Sequence, residues 1–200
     1  MKEVSSCPQL AAPLVDVVTE RLVLRRFQHG DDELLAAAFA KQEFWQFPYG
    51  RGFTRAETEA FVAEQVAEWE TYGLGSWIAI DRAGGRAAGY VGISIPHFLP
   101  DELPAVEVGW RFDPDFWGLG LASEGAGAAL DQAFGPLGLQ QVCSAPQSGN
   151  PRSVKVCERL GMEFSRHVTA QGNAKRGPVE ASLYWITREQ WARRRSTAVR

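Results

Sequence analysis

From Asp113 to Ser123 the chain reads D-P-D-F-W-G-L-G-L-A-S. Gly118 and Gly120 can bring bare backbone against a ligand. If a helix opens there, the N–H groups of Leu119 to Ser123 converge at its positive end and form an anion site. Just upstream, Glu107 is the single carboxylate in the run Ala105 to Phe112. A carboxylate in mid-strand is costly unless paired or hydrated. It reads either as a general base acting through water or as half of an ion pair with Arg25 or Arg111. His97, in a Pro-rich loop, is a second proton-transfer candidate, since an imidazole titrates near neutrality; the plainer reading is a surface histidine. The segment F-W-Q-F-P-Y-G-R-G-F, residues 44–53, offers Trp45, Phe47 and Tyr49 as pocket walls and Arg51 to fix a carboxylate or carbonyl. Its bland alternative is a hydrophobic lid packed on the sheet.

Several phosphate chemistries are excluded. G-L-G-L-A-S approximates a dinucleotide fingerprint, but no Asp or Glu lies between Pro136 and Asn150 to hold a ribose. No G-K-S or G-K-T follows, so there is no Walker loop. Cys7, Cys143 and Cys157 have no C-x-x-C spacing, and His29, His97 and His167 lie far apart, so no metal site is expected. Sparse, odd cysteines suggest reduced thiols and a cytoplasmic setting. Cys143 and Cys157 fall at apolar positions and read as packing rather than as a ping-pong nucleophile.

Elements that must position these residues follow from hydrophobic period and caps. Strands are predicted at residues 20–27, 76–81, 87–95, 105–112, 141–145, 162–168 and 179–186. Helices are predicted from Asp31 or Asp32 to Lys41, from the Thr54/Glu57 capping box to Tyr72, and over 122–134, 151–160 and 187–195. Gly84-Gly85 marks a hairpin turn, and Gly161 a helix stop. The order is β-α-α-β-β-β-α-β-α-β-β-α. It describes an α/β (α+β) domain with a mixed, mostly antiparallel sheet of about seven strands. Residues 1–18 read as a flexible lead-in to a single domain over 19–200. The 200 residues, net charge −3 and 45% hydrophobic content suit one soluble domain. They argue against a dedicated nucleic-acid binder, and no apolar run is long enough to span a membrane.

Three stretches together resemble the GNAT superfamily of acyl-CoA-dependent N-acyltransferases, and most closely its RimJ/RimL-like branch: E-R-L-V-L-R; E-V-G-W-R-F-D-P-D-F-W-G-L-G-L-A-S-E; and N-P-R-S-V-K-V-C-E-R-L-G-M-E-F. The resemblance implies acetyl-CoA as co-substrate. Its pyrophosphate would be wrapped by Trp117, Gly118, Leu119, Gly120, Leu121, Ala122 and Ser123. Trp110, Arg111 and Phe112 would offer backbone to the pantetheine arm where strands four and five splay. Asn150 and Ser153 match positions that touch pantetheine or the phosphate side, and the aromatic loop matches an acceptor-lining segment. Two positions depart from the superfamily pattern: Asp115 stands where Gln or Arg is usual, and Cys157 where some members carry a Tyr acid. The expected activity is acetyl transfer to a primary amine, either a protein N-terminus or a small molecule. It would proceed by direct attack in a ternary complex, in a monomer or homodimer. The rival is a non-catalytic acyl-CoA sensor, which would need the glycine loop but neither Glu107 nor the aromatic loop.

Overall fold

Leu22 and Leu24 alternate with more exposed neighbours, and both are fully buried in strand β2 (Leu22–Arg26). In the computed structural model, which describes residues 14–173 and 176–198, β2 lies antiparallel between β1 (Val17–Val18) and β3 (Ser76–Asp81). β4 (Ala87–Ser94) returns from β3 through the Gly84-Gly85 turn, and β5 (Glu107–Phe112) runs antiparallel to β4. β6 (Gln141–Ser144) joins parallel to β5. β7 (Glu163–Ala170) and β8 (Val179–Thr187) complete an eight-stranded sheet in the order β1-β2-β3-β4-β5-β6-β8-β7. The sheet thus has one strand more than the seven expected. Val17–Val18 pairs with Leu24 and Val23 inside the segment read as a lead-in; residues 1–13 of that segment lie outside the described residues.

Among the described residues five helices cover the sheet: α1 (Asp31–Phe39), α2 (Arg55–Tyr72), α3 (Leu121–Phe134), α4 (Pro151–Leu160) and α5 (Arg188–Ala198). The capping box forms as expected, with Thr54 and Glu57 satisfying each other's backbone N–H groups. The start of α1 differs. Gly30, not an aspartate, is the N-cap, because Asp31 is taken by the Arg25 guanidinium (2.6 Å) and the Gln28 N–H (2.8 Å). One large core packs Ala126 and Leu130 of α3 and Leu160 of α4 on Leu22, Val91 and Val108. A second, aromatic core packs α1 and α2 over Ile78 through Phe39, Phe44, Trp45 and Phe53.

The feature that positions the site is the join between β5 and β6. Their ladder holds a single register pair, Glu107 with Cys143, beside a 2.9 Å bond from the Cys143 N–H to the Val106 carbonyl. β5 stays paired with β4 through Phe112. Beyond Glu107, β6 therefore leaves β5 and a wedge opens in the middle of the sheet.

Candidate active site

The glycine loop leaves β5, makes a 3-10 turn at Pro114–Phe116 and enters α3. Gly118 and Gly120 adopt φ of +78° and +80°, which side-chain-bearing residues rarely do. Gly120 is the N-cap of α3 and no side chain caps that end, so the first-turn N–H groups face outward unclaimed. Ser123 Oγ is buried there with no partner among the described residues. Arg152, Lys155 and Arg159 of α4 line the same cleft, and the Arg152 guanidinium lies 4.1 Å over the Trp117 ring. An unclaimed helix N-terminus, an orphaned hydroxyl and three cations make a site that fits a pyrophosphate.

The aspartates of the motif hold this loop in place. Lys41 bridges the buried Asp113 (2.6 Å) and Asp115 (2.8 Å), and Arg86 takes the other oxygen of Asp115 (3.0 Å). Asp115 thus serves as a clip where the superfamily usually has Gln or Arg. Lys41→Met would leave Asp113 buried and unpaired, with an expected loss of about 1–3 kcal/mol in a denaturation curve and weaker CoA binding by calorimetry.

Two cavities meet at the wedge. The larger, about 470 Å³, is the loop cleft. The smaller, about 260 Å³, lies between β4, β5 and the start of β8, and contains Glu107. Phe47, Trp110, Arg111, Asn150 and Ser153 line both. Asn150 caps α4 and its Nδ2 donates to Ser153 Oγ (3.1 Å).

Glu107 has no ion pair among the described residues. Arg25 is spent on Asp31, and Arg111 on backbone carbonyls, so the ion-pair alternative does not hold. The Glu107 carboxylate accepts one long bond from the Ala145 N–H (3.3 Å) and faces Ser94 across the β4–β5 ladder. Burial pushes its pKa up to about 7; the Ala145 bond opposes that rise and the charge of Glu68 adds to it. A carboxyl poised near neutrality in a cavity wall can accept a proton at working pH.

A GNAT acetyltransferase domain model matches residues 21–163, most of the chain. The chain belongs to the GNAT acetyltransferase family. It falls in the RimJ/RimL-like group and is an N-acetyltransferase. An Aspergillus fumigatus relative, the FsC-acetyl coenzyme A-N(2)-transacetylase, is 32% identical over 72% of this chain and 64% of its own length. A GNAT acetyltransferase from Bacillus anthracis superposes with a TM-score of 0.70 at 22% identity, covering 87% of this chain and 99% of the other. The ribosomal-protein-S5-alanine acetyltransferase of Vibrio fischeri gives 0.70 at 17% identity over 89% and 99%. Those two likenesses are of fold.

In this GNAT domain the aromatic loop is mainly a lid. Trp45 is buried and stacked on Phe53 with ring centroids 3.9 Å apart. Only Phe47 and Pro48 of the loop reach the smaller cavity. Trp45 and Tyr49 line neither cavity, and Arg51 faces outward onto Glu57 (2.5 Å), whose carboxyl it holds down to about 2. Arg111 straps the lid down. Its Nη1 donates to the Phe44 carbonyl (2.9 Å) and to the Phe47 carbonyl, its Nε to Tyr90 Oη (3.1 Å), and it lies 4.6 Å over Trp45. Its side chain is thus committed to the lid, at the wall between the two cavities. Arg111→Met is expected to raise the amine KM by roughly 10-fold through loss of charged hydrogen bonds, read from initial rates.

The remaining expected residues separate cleanly. Phe112, Trp117, Gly118, Gly120, Leu121, Ala122 and Ser123 line the larger cavity. Leu119 lines neither; its side chain is exposed and its carbonyl accepts from Arg21 (2.6 Å). His97 lines neither cavity, and sits exposed with its ring 6.2 Å from Tyr72, which removes the geometric reason to consider it. Cys143 and Cys157 are fully buried, and burial pushes both thiols up, Cys157 to about 12; neither is a usable nucleophile. Among the described residues no cluster of three or more His, Cys, Asp or Glu could hold a metal, and no helix is long and apolar enough to cross a membrane. The α4 cations were missed by sequence reasoning, although Arg152, Lys155 and Arg159 recur at three- and four-residue steps on one helix face.

Proposed function

We propose that this GNAT enzyme moves an acetyl group from acetyl-CoA to a primary amine by direct attack in a ternary complex, with Glu107 as the base through water. The observation that carries this is the shared wall of the two cavities. A pantetheine arm entering from the loop cleft and an amine entering the smaller cavity meet at Ser153, Asn150 and Trp110. The Aspergillus relative's name, an N(2)-transacetylase using acetyl coenzyme A, agrees with nitrogen as the acceptor atom.

The thioester supplies the activated acyl group. The first turn of α3, Ser123 and the α4 cations hold the pyrophosphate. The bared backbone of β5 at Gly109 to Arg111 orients the arm beside the wedge. Glu107 receives the amine proton through water, because its carboxyl titrates near 7 and has no cationic partner. The α-amine of a peptide N-terminus, with pKa near 7.7–8.0, is already neutral in roughly one molecule in ten at pH 7, so a weak base suffices for such an acceptor. Ser153 accepts from Asn150, which leaves its hydroxyl hydrogen free to donate a hydrogen bond to the departing thiolate. Holding both reactants in contact supplies much of the rest.

Thiol release from acetyl-CoA across a panel of amines, including peptides with free N-termini, tests this. Intersecting initial-rate lines are expected. Parallel lines, or acetyl-protein formed without amine, would overturn direct attack.

A further inference from the structure

The smaller cavity carries more information about its guest than that it is an amine. Its lining holds one carboxylate, Glu107, and two guanidinium groups, Arg111 and Arg176. Arg111 is committed to lid carbonyls and Tyr90. Arg176 enters from the turn before β8. Among the described residues its side chain has one bond, to the carbonyl of its own neighbour Gly177 (3.1 Å), and no acidic partner. Arg176 is half-buried, and a half-buried guanidinium left without an anion favours one from solution. Gln147, on the segment that bridges to Ala181 of β8, also lines the cavity, and its buried Oε1 has no partner among the described residues. A buried carbonyl oxygen left open costs free energy until an N–H reaches it.

Taken together, the geometry points to an acceptor that is a small α-amino acid or close analogue, carrying a carboxylate beside its amine. Arg176 takes the carboxylate, and Gln147 Oε1 accepts an N–H of the amine. A volume of about 260 Å³ suits a molecule of that size. Glu107, half protonated at neutral pH, does not repel the carboxylate as a fully ionised wall would. A polyamine, by contrast, would bring more positive charge to an already cationic cavity.

This assignment rests on the smaller cavity being the acceptor site, and the test separates the two claims. Thiol release would be followed with α-amino acids, with their methyl esters, and with the matching decarboxylated amines. Compared per neutral amine from full pH profiles, the acids are expected to exceed the esters and amines in kcat/KM by roughly 10- to 100-fold, the usual worth of a charge-assisted pair. Arg176→Gln is expected to remove that advantage through KM while leaving the ester rate unchanged, and Gln147→Leu to weaken acids and esters alike. Esters or amines equal to the acids, or an Arg176→Gln loss equal for acid and ester, would overturn the carboxylate assignment while leaving the acceptor cavity intact. Rates with every amine that Glu107→Gln and Gln147→Leu leave unchanged would overturn the cavity assignment itself.

Discussion

Glu107→Gln is expected to lower kcat about 10²-fold while CoA affinity holds, because the amide keeps the shape of the cavity but cannot take a proton. In the parent enzyme kcat/KM should rise with pH through about 7, following ionisation of Glu107, and the variant should lack that limb. The same substitution has a stability signature of known sign. Between 4.5, the carboxyl's ordinary value, and about 7, the folded protein retains a proton that the unfolded chain has released. Stability therefore falls as pH rises through that window and stays at its lower level above it. Glu107→Gln should flatten that part of the Tm–pH curve and raise Tm at pH 8. Glu68, also pushed up to about 7 by burial, leaves a residual slope. A parental rate and pH profile in the variant would take Glu107 out of the mechanism.

The second large effect lies at the loop. Gly120→Trp is expected to abolish CoA binding in a calorimetric titration. Among the described residues, chain neighbours apart, the atom close to a Cβ at this position is an Arg21 guanidinium nitrogen at 3.5 Å, and nothing lies within 4 Å of one at Gly118. An indole there meets no packed core and lies across the space a pyrophosphate would take. A side chain at φ of +80° costs roughly 1–2 kcal/mol, which a domain of this size should survive, so a thermal melt alongside the titration distinguishes a blocked site from an unfolded protein. Unchanged affinity would remove the loop from the CoA site.

The fold was readable wherever a period or a cap was local. The alternation in β2 and β5, the Thr54/Glu57 box and the Gly161 stop each follow from a few neighbouring residues. β1 escaped because a two-residue strand has no period; it exists only because Leu24 and Val23 offer an edge. Glu107 stood out since one carboxylate interrupts an apolar strand. Gln147 did not, because its isolation depends on how the chain after β6 crosses the start of β8, a long-range fact. Arg51 and His97 illustrate the opposite error. Both are chemically suited, yet the first is claimed by a helix cap at Glu57 and the second lies outside the wedge.

The wall common to the two cavities has a thermodynamic consequence. Phe47 and Arg111 touch both spaces, and Arg111 fixes the lid on which Phe47 sits. Whatever factor by which one filled chamber tightens or loosens the other must be returned identically in the reverse direction. That coupling runs through this arginine's hold on the lid, and cutting the hold should make the two affinities independent of each other.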